Sequence, residues 1–140
     1  MRARSVSAAL TTAFVGTAVL LAVEAGAASP KAPVVKIHVS NVKAHSAKLT
    51  AGINTEGSET SYTIWIDPGC SGEACERAGP TVAKSGQIAA GRGTKTVSVT
   101  VNDLPPGVSN NEAWAEATNA VGRTETSVRR FKTIGKRGKE

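Results

Sequence analysis

The spacing of the apolar side chains constrains this 140-residue chain most: from Pro30 onward they recur at every second position, not every third or fourth. A period of two is that of a β-strand with one face buried and one wet. Val35, Ile37 and Val39 share one face of a first strand, with Lys36, His38 and Ser40 on the other. Ala47, Leu49, Ala51 and Ile53 repeat the pattern in a second. A third sets Tyr62, Ile64 and Ile66 against Thr63, Trp65 and Asp67. Thr81–Ser85 is a weaker fourth, and Val97, Val99 and Val101 mark the fifth. The sixth, Glu112–Thr118, alternates Ala113, Ala115 and Ala117 with Trp114 and Glu116, and a seventh approaches Phe131 after a turn at Asn119 to Gly122. Glu56-Gly57-Ser58 and Leu104-Pro105-Pro106-Gly107 interrupt the pattern, and two adjacent prolines cannot continue a central ladder. No stretch supports a helix of useful length and no internal repeat occurs. Seven short strands in about 100 residues predict an all-β, two-sheet β-sandwich.

The two ends read differently. Arg2 and Arg4 precede a run without charge from Ser5 to Val23, and Ala25-Gly26-Ala27 is a small-x-small triplet. This is the pattern of a signal peptide over residues 1–27, cleaved before Ala28. Thr11, Thr12, Gly16 and Thr17 interrupt the run and count against a permanent anchor, and no second run of spanning length follows. The expectation is a secreted, extracellular protein: an extension over 28–32, one domain over 33–134, and a basic tail over 135–140. The charge belongs to the end of the chain. Residues 28–128 hold nine Lys or Arg and nine Asp or Glu, whereas Arg129, Arg130, Lys132, Lys136, Arg137 and Lys139 face Glu140 alone beyond them. The tail is read either as a solvated terminus or as a contact for an anionic polymer, weakened by salt. Specific nucleic-acid recognition is not expected, because no basic stripe with interleaved aromatics crosses the body.

In an exported chain the only two cysteines, Cys70 and Cys75, are expected to pair as a structural disulfide closing a turn-rich loop from Pro68. Enzyme chemistry has little to draw on. His38 and His45 are the only imidazoles, neither lies in a nucleophile motif, and the carboxylates are scattered. No catalytic residue, metal ligand or cofactor is expected. The binding candidates are Trp65 and Trp114, which fall side by side on an outward face if the third and sixth strands are neighbours. Three readings stay open: a cross-strand pair that stabilises the sheet, a platform for a sugar ring or a partner protein, or a Trp114 turned inward by a bulge to fill space that the alanines leave. Arg130 on the adjacent last strand is placed to cover an indole face.

Four ordered segments resemble bacterial extracellular fibronectin type III domains. Ala47-Lys48-Leu49-Thr50-Ala51-Gly52-Ile53-Asn54-Thr55-Glu56-Gly57 is similar to that family's second strand and turn, and Thr60-Ser61-Tyr62-Thr63-Ile64 to its third strand. Leu104-Pro105-Pro106-Gly107 resembles the loop before its sixth strand, and Ala117-Thr118-Asn119-Ala120-Val121-Gly122 its A-x-N-x-x-G turn. The resemblance implies a seven-stranded immunoglobulin-like sandwich and a non-enzymatic role in binding, adhesion or spacing at the cell envelope or outside it, as a monomer contacting protein or polysaccharide. Two departures stand out. The family's sixth-strand tyrosine falls on Asn111, so its hydrogen-bonding corner is missing or rebuilt, and the Cys70 to Cys75 loop lies outside the family pattern. That loop motivates an alternative, a small secreted protease inhibitor presenting it as a pre-ordered substrate.

Overall fold

Alternation becomes strand wherever the sequence holds it for about eight residues. The computed structural model describes residues 29–135; the expected signal peptide and residues 136–140 of the basic tail lie outside the described residues. Eight strands form: β1 (Val34–Ser40), β2 (Ala47–Asn54), β3 (Thr60–Asp67), β4 (Thr81–Ile88), β5 (Thr94–Val101), β6 (Asn111–Thr118), β7 (Arg123–Glu125) and β8 (Arg129–Phe131). They make two antiparallel sheets, β1-β2-β5 and β4-β3-β6-β7, with β8 also on β6. Among the described residues no helix is long and apolar enough to cross a membrane.

The inner faces carry the alternating residues. Leu49, Ile53 and Ile64 are fully buried between the sheets, and Tyr62, Ile66, Val35 and Ile37 nearly so. Val97, Val99 and Val101 on β5 are half-buried against this core. Ala113, Ala115 and Ala117 are also fully buried, and their small volume lets β1 approach β6 across the sandwich. β4 runs three residues beyond the expected Ser85 because Ile88 reaches the core.

The expected seventh strand divides in two. β7 pairs with Glu116, Ala117 and Thr118, β8 with Asn111, Glu112 and Ala113, so 126–128 stand opposite only Trp114 and Ala115. An extra residue on one side is a bulge. Thr126 stabilises it: its N–H donates to Ala115 O at 2.9 Å, and its hydroxyl accepts Ala115 N–H at 3.0 Å in place of a ladder carbonyl.

The start of β6 is fastened by the amide of Asn111, the position where the resemblance sets a tyrosine. Asn111 is fully buried; its Nδ2 donates to Val108 O at 2.9 Å and Phe131 O at 3.3 Å, and its Oδ1 accepts Gly69 N–H at 3.0 Å. A short amide therefore ties the start of β6 to backbone three residues upstream, to β8 and to the loop after β3. At the other end of the sandwich, Asn119 Oδ1 accepts the N–H groups of Val121 and Gly122, while Nδ2 donates to Lys31 O and Thr55 O.

Candidate binding surface

Strands β3 and β6 are neighbours in the register that sets Trp65 directly opposite Trp114. Each indole alternates with buried residues, Ile64 and Ile66 on one strand and Ala113 and Ala115 on the other, so both point away from the core and are half-buried. Trp114 is not turned inward; the bulge of the last strand lies beside it and leaves β6 regular. The two rings are nearly parallel, 14° between planes, with centroids 6.2 Å apart, an offset stack. On β4, Val82 stands opposite Trp65 and is half exposed, extending the apolar strip to three strands.

One row to either side, some 6.6–7 Å along a strand, the face becomes ionic. On one flank Glu116 lies opposite Thr63 and Glu125, and Arg123 joins both carboxylates, bonding Glu116 closely and Glu125 at 3.2 Å. The hydrogen bond to Glu116, then that residue's charge, hold the Arg123 guanidinium above its ordinary value; partial desolvation opposes this and Glu125 adds to it. On the other flank Asp67, Glu112 and Arg130 form a row across β3, β6 and β8. Arg130 Nε donates to Glu112 Oε1 at 2.9 Å, so this guanidinium engages a carboxylate one row from Trp114. Arg77, from the loop after β3, lies 3.2 Å from Asp67 Oδ2 and 3.8 Å from Glu112 Oε2. Asp67 Oδ1 is buried beneath it without a hydrogen-bond partner among the described residues.

The loop that carries Arg77 is held at its base. Gly69 N–H reaches Asn111 and Cys70 N–H reaches Asn110 Oδ1, both at 3.0 Å. A Cβ at Gly69 would stand 2.0 Å from Asn110 Oδ1, so only glycine admits this approach. Cys70 and Cys75 are a disulfide-compatible pair with Cα atoms 5.8 Å apart. The segment between them is exposed.

Glu112 and Glu116 alternate with Trp114 and were legible as its face-mates from the strand period alone. Arg77 carried no such signal, because it reaches the face from a loop. The histidines are elsewhere: His38 is exposed on the outer face of β1, and the ring of His45 donates Nδ1–H to Leu104 O at 3.0 Å. Among the described residues no group of three or more His, Cys, Asp or Glu could hold a metal ion.

No family profile and no curated protein matches the chain. Solved structures do. The sensor domain of the anti-sigma factor RsgI4 from Pseudobacteroides cellulosolvens, in a longer form, is 17% identical with a TM-score of 0.54, covering 77% of this chain and 95% of that one. Its shorter form is 20% identical with a TM-score of 0.50, covering 76% and 97%. A GH3 beta-glucosidase from Bifidobacterium adolescentis is 13% identical with a TM-score of 0.51, covering 75% of this chain but only 18% of the enzyme. At these identities the likeness is one of fold, an all-β sandwich that recurs both in the sensor domain of an anti-sigma factor and as a small part of a much larger enzyme.

Proposed function

We propose that this chain is a secreted, non-enzymatic binding module of fibronectin type III-like build, released after cleavage of residues 1–27, that contacts an extracellular polysaccharide or protein through the outer face of its larger sheet. The stacked Trp65 and Trp114 carry this reading. Their indoles give an apolar surface that accepts the C–H face of a sugar ring or a partner's side chain, and Glu112 and Glu116 beside Trp114 supply acceptors for hydroxyls. Because the carboxylates are paired with guanidinium groups, the strip presents little net charge and favours a neutral ligand. The motif positions support the family reading: the Ala47 to Gly57 segment lies on β2 and its turn, and Asn119 holds the turn after β6. The sensor-domain neighbours agree with a contact role in fold alone.

Binding to insoluble cell-wall and plant polysaccharides, followed by tryptophan emission, tests the proposal. Trp65→Ala and Trp114→Ala should each cost about 2 kcal/mol of binding, about thirtyfold in affinity, as central aromatic contacts do. Retained affinity in both variants would reject the aromatic strip. The anchored loop favours a second reading, protease inhibition through the exposed Ser71 to Ala74 segment, since a pre-ordered loop loses less entropy on binding. Inhibition of no protease by the intact chain, across serine, cysteine and metal classes, would exclude it.

A further inference from the structure

Along the edge of the larger sheet formed by β7 and β8, beyond the Glu116–Glu125 flank of the aromatic face, the sandwich is open along one seam. β1 is an edge strand of the smaller sheet, and β7 and β8 form an edge of the larger one; the two edges lie side by side without pairing. A groove of about 700 Å³ follows the seam, with Lys36, His38 and Arg129 on its walls and Thr50 and Thr96 beneath. Gly52 is the middle of its floor, and the absent side chain there keeps the groove deep. A second groove of about 320 Å³ shares Ile37, His38 and Arg129 with the first and continues the path past Phe131.

The electrostatics of this groove differ from those of the aromatic face. Among the described residues Lys36 and Arg129 form no ion pair, and both are exposed. The one carboxylate on the wall, Glu125, shares the Arg123 guanidinium with Glu116. On the outer face of the smaller sheet, the β1, β2 and β5 positions carry Lys36, His38, Lys48 and a series of threonines and serines, with no Asp or Glu among them. The bulge adds the Thr126 and Ser127 hydroxyls to the opposite lip. Uncompensated cations spaced along an open groove floored by hydroxyls match singly charged anions spaced along a hydroxylated polymer. No Phe, Tyr or Trp lines the larger groove, and His38 supplies its one ring.

We infer that this seam binds an acidic polysaccharide of the polyuronate kind, with Lys36 and Arg129 holding successive carboxylates and the threonine hydroxyls reading the sugar. The groove is lined by residues of the folded body and by neither tryptophan.

Affinity electrophoresis and calorimetry with polygalacturonate test it on the intact protein. Wild type should bind, with affinity falling roughly tenfold between about 50 mM and about 200 mM salt, as expected for two ion contacts. Lys36→Gln combined with Arg129→Gln should weaken binding at least about tenfold with an unchanged unfolding midpoint, since both side chains are exposed. Removal of residues 136–140 should leave the affinity within about twofold. Any of four results would overturn the inference: no binding of polygalacturonate, full binding by the Lys36 and Arg129 double variant, loss on removing the tail alone, or equal affinity for polyglutamate or duplex DNA.

Discussion

Asn111 shows how much of a fold one buried side chain can fasten. Its primary amide has a short reach and satisfies three backbone groups, Gly69 N–H, Val108 O and Phe131 O. That short reach draws the loop after β3 against β6, which is why Gly69 tolerates no Cβ. Replacing Asn111 with Leu keeps the branching at Cγ and removes all three hydrogen bonds. Leaving buried amide and carbonyl groups unpaired should destabilise the protein by about 3 kcal/mol, measured as a lower urea midpoint with unchanged slope. Asn119 is the corresponding residue at the other end, and its four contacts give the A-x-N-x-x-G turn a physical cause.

Among the elements, β3 and β6 decide the functional face. Because a strand repeats every two residues, burying the three alanines of β6 forces Glu112, Trp114 and Glu116 outward together, and cross-strand register then brings Trp65 to Trp114. A double-mutant cycle on Trp65→Ala and Trp114→Ala should give a coupling energy of about 1 kcal/mol in unfolding experiments, the worth of an aromatic pair. A coupling near zero would mean that the stack adds nothing to the sheet. The loop between β3 and β4 is fastened twice, by Asn110 and Asn111 at its base and by Arg77 on the face. Replacing both cysteines with serine should therefore cost only about 2 kcal/mol, the chain-entropy value for so short a loop, and leave the fold intact by circular dichroism. A cooperative loss of structure would show that the disulfide holds the domain, not the loop.

Seen whole, the molecule has two unlike faces. The larger sheet presents an apolar strip between compensated ion pairs; the smaller presents cations and hydroxyls without acids on its strands. Its open edges are a hazard for association, and β5 is one of them, eight residues of alternating threonine, lysine, serine and valine paired on one side only. Lys84, opposite Ile64 and so directed toward the space between the sheets, donates Nζ to Ser98 O at 3.1 Å on that edge. An inward-leaning lysine of this kind blocks strand addition. Lys84→Val should sediment as larger, concentration-dependent species than the parent protein in sedimentation velocity; a variant that sediments like the parent at millimolar concentration would show that the edge is protected by something else.

By itself the sequence determined the strand periods, the two cysteines, the concentration of charge near the C-terminus, and which residues share a face, because a period-two pattern assigns faces without reference to any partner strand. Tyr62, Ile64, Ile66 and the alanines are inside for that reason. Tertiary structure alone decided what lies beside what. The division of the last strand depends on a Thr126 hydroxyl standing in for a carbonyl, the guanidinium of Arg130 settles on Glu112 one row from the indoles, and Arg77 arrives from a loop with no period to announce it. The seam groove is decided at the same level. Lys36 and Arg129 stand 93 positions apart in the chain, and only the packing of one sheet edge against another makes them neighbours on a groove.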